Sequence, residues 1–287
     1  VSKVLDILNS PWALLPEKHQ QMVAIYSAYI RGEKIDLAAI EAQLGKPLQN
    51  EPPPYQILDG VAVIPVQGVI AKRMNLFSRI SGGASTEIIG RDLRTALADG
   101  RVHAIVLDID SPGGSVDGTQ TLADQVFAAR EQKPIVAFAD GFMTSGAYWI
   151  GSSAEEIYLS GYTVITGSIG VATQHVDFSR AYDKAGITVT DVYAGKYKRV
   201  TSDAKPLSDE GRATLQAIVD QLYTVFVDDI ARNRGTDSET VLKNMADGRL
   251  FVGKAAIEAG LVDGVSTFDA LIADLVAGRK PAGRASA

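Results

Sequence analysis

The stretch Asp140-Gly-Phe-Met-Thr-Ser145-Gly-Ala-Tyr-Trp149 decides the reading of this chain. It follows the apolar run Ile135-Val-Ala-Phe-Ala139, which reads as a buried strand. It leads into a small-residue segment, Gly146 to Ala154, that reads as a closely packed helix. A serine at a tight strand-to-helix turn exposes its hydroxyl beside the free backbone N–H groups of the helix start. About one βα unit earlier, Ala104-Ile-Val-Leu-Asp-Ile109 and Asp110-Ser-Pro-Gly-Gly-Ser115 repeat the order of strand, glycine turn and helix. The Gly113-Gly114 pair lets backbone N–H groups approach a ligand with no Cβ in the way. Two such turns, side by side on a parallel sheet, supply two N–H donors and one hydroxyl. That is the minimum for acyl transfer through a tetrahedral intermediate.

A serine nucleophile needs a base. The three histidines are His19, in a polar N-terminal helix, His103, at the far end of the Ala104 strand from Gly113, and His175. Only His175, which follows the strand-like Ser168-Ile-Gly-Val-Ala172, stays in contention. Lysine is the other choice, and Ala194-Gly-Lys196-Tyr-Lys198-Arg199 follows an expected strand from Ile187 to Tyr193. A lysine acts as base only if its pKa falls from about 10.4 toward 7–8, a shift worth roughly 4 kcal/mol. Burial beside apolar walls and near Arg199 can produce it.

Several motifs occur in a fixed order: Asp110-Ser-Pro-Gly-Gly, Thr144-Ser145-Gly146-Ala-Tyr148, Thr166-Gly-Ser168-Ile-Gly-Val171, Gly195-Lys-Tyr-Lys198, Gly248-Arg-Leu-Phe-Val-Gly253 and Ala255-Ala-Ile-Glu-Ala-Gly-Leu-Val-Asp263. Together they resemble the signal peptide peptidase A family of Ser-Lys peptidases, over roughly residues 57 to 265. The resemblance implies a ClpP/crotonase-like α/β fold and endopeptidase activity. It makes Ser145 the nucleophile, Lys198 the general base, and Ser168 a serine that positions the lysine. Gly114 and Gly146 become the backbone oxyanion donors. Lys196 is the lesser candidate, because the family lysine follows the aromatic, as Lys198 follows Tyr197. The opening Asn9-Ser-Pro-Trp-Ala13 resembles the phage capsid-assembly, or head maturation, branch of that family.

Length and composition fit an enzyme of one large domain with appendages, or of two small domains. The chain has 287 residues, of which 46% are hydrophobic, ample for a core. A net charge of −6 offers no basic face for nucleic acid. With no cysteine there is neither a disulfide nor a thiol nucleophile, and three scattered histidines make no zinc site. No metal, nucleotide or organic cofactor is expected. No apolar run approaches the roughly 20 residues of a membrane span. The first residues, Val1-Ser-Lys-Val-Leu-Asp6, mix charge with apolar side chains unlike a signal peptide. The expected location is cytoplasmic, which the phage resemblance narrows to host cytoplasm or assembling virion. The start at Val1 is read as trimming.

Along the chain, residues 1–50 read as a helical arm with an apolar stripe from Met22 to Tyr29. Residues 51–56, with Pro52-Pro-Pro54, read as a stiff linker. Residues 57–277 read as the peptidase domain, and 278–287 as a flexible, small and basic tail. Ser85 or Thr86 caps a helix bearing Ile88, Ile89, Leu93 and Leu97, and Ser208 caps a long one running to about Asn233. The repeated strand, loop and helix predict mostly parallel pairing.

Singly, each motif has an ordinary reading: Ser145 as a helix cap, Asp110-Ser-Pro-Gly-Gly as a βα turn, Lys198 as a solvated surface lysine, Ser168 as a turn serine. Taken in order, they predict a serine endopeptidase with a Ser145-Lys198 dyad. The resemblance points to scaffold or capsid proteins, including the chain's own C-terminal extension, as substrate, and to a homo-oligomer. The arm and the loop of Met74, Leu76 and Phe77 are its candidate interfaces. Three alternatives stand beside this: a general peptide-degrading cytoplasmic relative, a crotonase-like acyl-CoA enzyme, and an inactive structural capsid component.

Overall fold

A computed structural model of the chain describes residues 11–20, 55–73 and 83–281. In chain order the strands are β1 (Trp12–Leu14), β2 (Gln56–Leu58), β3 (Val61–Gln67), β4 (Val69–Ala71), β5 (Gly83–Ser85), β6 (Ala104–Ser111), β7 (Gly113–Ser115), β8 (Ile135–Thr144), β9 (Glu156–Leu159), β10 (Ile165–Gly167), β11 (Leu250–Val252) and β12 (Gly264–Val265). The helices are α1 (Thr86–Ala98), α2 (Thr119–Ala129), α3 (Gly146–Gly151), α4 (Ser179–Lys184), α5 (Asp209–Arg234), α6 (Ser238–Asn244), α7 (Lys254–Glu258) and α8 (Phe268–Val276).

The central strands are apolar on both faces. Along β6, Ile105, Leu107 and Ile109 point into the main core beneath α1 and α2, while Ala104 and Val106 face the smaller core under α8. A strand buried on both sides sits between parallel neighbours, and β6 pairs in parallel with β3 and β8. The larger sheet runs β11-β10-β8-β6-β3-β2, with β9 and β12 added beside β8. Its pairs are parallel except the edge pairs β2–β3 and β10–β11. This is the expected α/β architecture of mostly parallel strands and flanking helices. A smaller sheet, β1-β7-β4-β5, stands over it.

A kink in β8 places the key turn. The β6–β8 register slips between Ile109 and Ser111, where Asp140, Gly141 and Phe142 bulge out, exposed. Asp110 holds the bulge by accepting the Phe142 N–H at 3.1 Å, and Gly141 adopts φ 104°. A Cβ there would lie 2.6 Å from the Asp110 carboxylate, so glycine is required. Before the kink β8 pairs with β9, and after it with β10.

The helix signals hold. Ser85 caps α1, accepting the Ile88 N–H, and Ser208 caps α5, accepting the Gly211 N–H at 3.1 Å. In α5, Phe226 and Ile230 are buried, whereas Ile218 and Val225 are exposed.

The structure departs from the sequence reading in four places. Residues Trp12–Leu14, expected in a helical arm, form a strand, and helix starts only at Pro16. Residues 187–193, expected as a strand, are irregular, with Ile187, Val189, Val192 and Tyr193 exposed. β-Branched content favours a strand only where a sheet edge receives it, and none does here. The tail, expected to be flexible from residue 278, is docked as far as Pro281. Arg279 pairs with Asp274 at 2.8 Å, Lys280 pairs with Glu156, and the Tyr158 hydroxyl donates to the Pro281 carbonyl at 2.7 Å. Of the linker, Gln56 already belongs to β2. The Met22–Tyr29 stripe, residues 51–54 and the Met74–Phe77 loop lie outside the described residues. Among the described residues no helix is long and apolar enough to cross a membrane.

Candidate active site

Ser145 sits between the end of β8 and α3 with φ 56° and ψ −120°, the conformation of the first central residue of a type II′ turn. A serine there is strained, since this region belongs to glycine. The strain is held by surroundings on every side. The Ser145 N–H donates to the Gly167 carbonyl at 2.7 Å, and its carbonyl accepts from Trp149 at 3.0 Å. The Ser145 side chain makes no capping bond to α3, so the bland reading of a helix cap fails.

Behind the turn, α3 is wholly buried. Trp149 stacks on Phe226 with centroids 4.1 Å apart, and its indole N–H donates to Asp229 at 2.9 Å. The Tyr148 hydroxyl donates to the Leu261 carbonyl at 2.8 Å, and burial pushes its pKa up. Both aromatics pack behind the serine: Trp149 fixes α3 against α5, and Tyr148 ties it to the segment after α7. Burial is also the leading cause that raises the Asp229 carboxyl.

The two glycine turns converge on one point. A Cβ on Gly113 would lie 3.0 Å from Ser145 Cβ, 3.0 Å from the Gly146 nitrogen and 2.3 Å from the Ala13 carbonyl oxygen. A Cβ on Gly146 would lie 3.3 Å from the Gly114 nitrogen and 3.2 Å from the same oxygen. On Gly114 it would strike the Ile70 carbonyl oxygen at 1.9 Å. Glycine is thus needed at 113 and 114 for the backbones to meet. Ser111 shapes the turn, donating to the Gly68 carbonyl at 2.6 Å and accepting the Gly113 N–H at 3.2 Å.

Strand β1 lies across this point. It pairs antiparallel with β7 in the register Trp12↔Ser115, Ala13↔Gly114, Leu14↔Gly113. The flanking bonds, Leu15 N–H to Pro112 at 3.2 Å and Val116 N–H to Pro11 at 3.3 Å, mark the alternate bonded pairs. By the alternation of an antiparallel ladder, Ala13 and Gly114 form the bonded pair between them, which points the Gly114 N–H at the Ala13 carbonyl. Gly146 is the first residue of α3, so its N–H has no acceptor within the helix. On its other edge Trp12 exchanges two bonds with Ala172, at 2.8 and 2.9 Å. Under this cover Ser145 is 1% exposed.

Ser168 follows Gly167, which pairs with Thr144, so the two serines are the first residues past the ends of neighbouring strands. Ser168 also has positive φ, 53°, and its N–H donates to the Arg249 carbonyl at 2.6 Å. The structure therefore brings together Ser145, Gly114, Gly146 and Ser168.

It does not bring Lys198 to them. Lys198 is exposed on the irregular segment after α4. Lys196 is also exposed and pairs with Glu210 at 2.8 Å. Glu210 and Tyr197 hold its ammonium above the usual lysine range, opposite to what a base needs. His175 Nε2 lies 3.0 Å from the Ser202 carbonyl. Arg199 is taken up by Asp191 at 2.6 Å and Ser202 at 2.8 Å.

Sequence reasoning missed β1 and the roles of Asp110 and Ser111. The Asp110-Ser111 pair stood inside a quoted motif, whereas nothing local to Trp12–Leu14 announces a partner a hundred residues away.

Residues 128–280 match Peptidase family S49, more than half of the chain. Capsid assembly protease C of Escherichia phage lambda is 33% identical over 209 residues, 73% of this chain and 47% of that protein. Protease 4 of Haemophilus influenzae is 29% identical over 216 residues, 75% of this chain and 34% of that protein. The chain thus spans less than half the length of these two relatives. A solved ClpP1 variant from Listeria monocytogenes superposes with a TM-score of 0.45 at 12% identity, over 71% of this chain and 91% of that one. With the matched residues running from the end of α2 through the serine turn to the docked tail, the chain belongs to peptidase family S49.

Proposed function

We propose that this protein is a serine endopeptidase that cuts extended segments of protein substrates. One observation carries the reading: a strained, buried Ser145 lies beneath a peptide carbonyl at which the Gly114 N–H points, with the Gly146 N–H alongside. In the proposed reaction Ser145 Oγ attacks the scissile carbonyl carbon, and the two N–H groups hold the oxyanion. Losing one such donor typically costs about 10²–10³ in rate. The base returns the proton to the leaving amine, and water releases the acyl group from Ser145.

Lys198 is the proposed base, with Ser168 positioning it. The engagement of Lys196 by Glu210 supports this choice over its neighbour. Lys198 is exposed, and a lysine serves as base only where its ammonium is desolvated. The Lys198 segment must therefore be covered in the working enzyme. Ile187, Val189, Val192, Tyr193 and Tyr197 on the same segment are exposed apolar and aromatic side chains available for that cover. A homo-oligomer provides it in our reading. The similarity to a capsid assembly protease supports scaffold or capsid proteins as the substrate class, and host cytoplasm or virion as the place of action.

The test is cleavage of an unfolded protein by the parent chain, Ser145→Ala, Lys198→Ala and Lys196→Ala. Loss in the first two variants and survival in the third is the expected pattern. Survival in Lys198→Ala with loss in Lys196→Ala moves the base to Lys196.

A further inference from the structure

The site described above is covered by Trp12–Leu14 of the chain itself. Trp12–Leu14 is fully extended, bonded to β7 along one edge and to Ala172 along the other. That is how an external peptide joins a sheet by strand addition, with main-chain bonds on both sides. Ala13, Leu14 and Leu15 are 0%, 6% and 7% exposed, so the segment is embedded in the cleft. The register puts the Ala13 carbonyl, and no other of β1, opposite Gly114 and within reach of Ser145 and Gly146. A methyl side chain is all that position 13 carries into the fully buried site.

We propose that Trp12–Leu14 is an intramolecular substrate that closes the cleft until the enzyme cuts its own Ala13–Leu14 bond. The inference rests on the serine-peptidase reading above. Ser145 Oγ bonds to the Ala13 carbonyl carbon, and the bond from that carbon to the Leu14 nitrogen breaks. Leu14 takes the proton that the base removed from Ser145 and becomes a new amino terminus. Water then hydrolyses the Ala13 ester, freeing residues 1–13 and restoring the serine. Before the cut, a tethered segment meets the site at an effective concentration on the order of millimolar. A micromolar external substrate therefore competes poorly. The same register assigns the substrate class: an extended strand with a small residue before the scissile bond.

The experiment follows the full chain by intact mass and N-terminal sequencing, beside an unfolded protein substrate. A Ser145→Ala chain carrying a distinguishing mass tag is mixed in. The expected result is a product beginning at Leu14 from the active chain, an uncut Ser145→Ala chain in the same tube, and substrate cleavage that accelerates as the product accumulates. Substrate cleavage at full rate from the start, with residues 1–13 still attached, overturns the proposal and leaves the peptidase reading intact. Cutting of the tagged Ser145→Ala chain at Leu14 shows cleavage between molecules and overturns the intramolecular placement. No cleavage of chain or substrate overturns both readings.

Discussion

Replacing Ser145 by glycine should give a more stable protein than replacing it by alanine. At φ 56° and ψ −120° any side chain with a Cβ is strained, and such residues carry of order 1–3 kcal/mol. Alanine keeps that strain and glycine relieves it. Glycine in turn loses about 0.5–1 kcal/mol through the greater freedom of its unfolded chain. Both variants lack the hydroxyl, and both keep the backbone bond from residue 145 to Gly167, so those contributions cancel. The balance is about 1 kcal/mol in favour of glycine, or roughly 2–4 °C in melting midpoint for a domain near this size. Thermal melts of the two inactive variants, with urea titrations to check the slope, measure it. An alanine variant that melts at or above the glycine variant refutes the claim that the serine is held under strain.

Gly114→Ala drives a Cβ to 1.9 Å from the Ile70 carbonyl oxygen, so β4 and β7 must part. Cleavage should fall by about 10²–10³ or more with a lowered melting midpoint. Gly146→Ala meets nothing nearer than 3.2 Å, and that neighbour is the carbonyl held in the cleft. It should lower the melting midpoint less than Gly114→Ala does while still losing activity, seen as a fall in kcat/KM. Tyr158→Phe removes the hydroxyl that holds Pro281, a bond worth about 0.5–1.5 kcal/mol. Limited trypsin digestion should then cut after Arg279 roughly 2- to 10-fold faster, and an unchanged rate refutes the docking of the tail. Burial raises the Asp229 carboxyl above its ordinary 3.8, so the folded state holds that proton more tightly than the unfolded one. Stability from this group is lost as pH rises from 3.8 through the folded value. Asp229→Asn, which keeps an acceptor for Trp149, should therefore gain on the parent at pH 7 and lose that gain toward pH 4 in paired melts.

The parts legible in the sequence were those whose signals are local. The runs Ala104–Ile109 and Ile135–Ala139 are apolar on both faces and became central parallel strands. Ser85 and Ser208 announced their helices because a cap needs only the next three residues. The turns at Gly114, Ser145 and Ser168 were found as motifs, and the parallel register brings them together. What failed depends on distant partners. Trp12–Leu14 is an apolar run of no fixed type until β7 accepts it, and Ile187–Tyr193 has strand composition with no edge to join. The tail composition suggested flexibility, but Tyr158 and Glu156 lie far away in sequence and dock it. The choice of base is the least legible point. Lys198 is exposed, and whatever desolvates a base depends on surroundings that no local sequence pattern encodes.

The most direct test of the central claim is capture of the acyl-enzyme. The chain is mixed with an activated ester of a short extended peptide ending in alanine, quenched in acid, and digested for mass analysis. An acyl adduct on the peptide containing Ser145, absent from Ser145→Ala, is the predicted result. Turnover that persists in Ser145→Ala, or an adduct on another residue, contradicts the account.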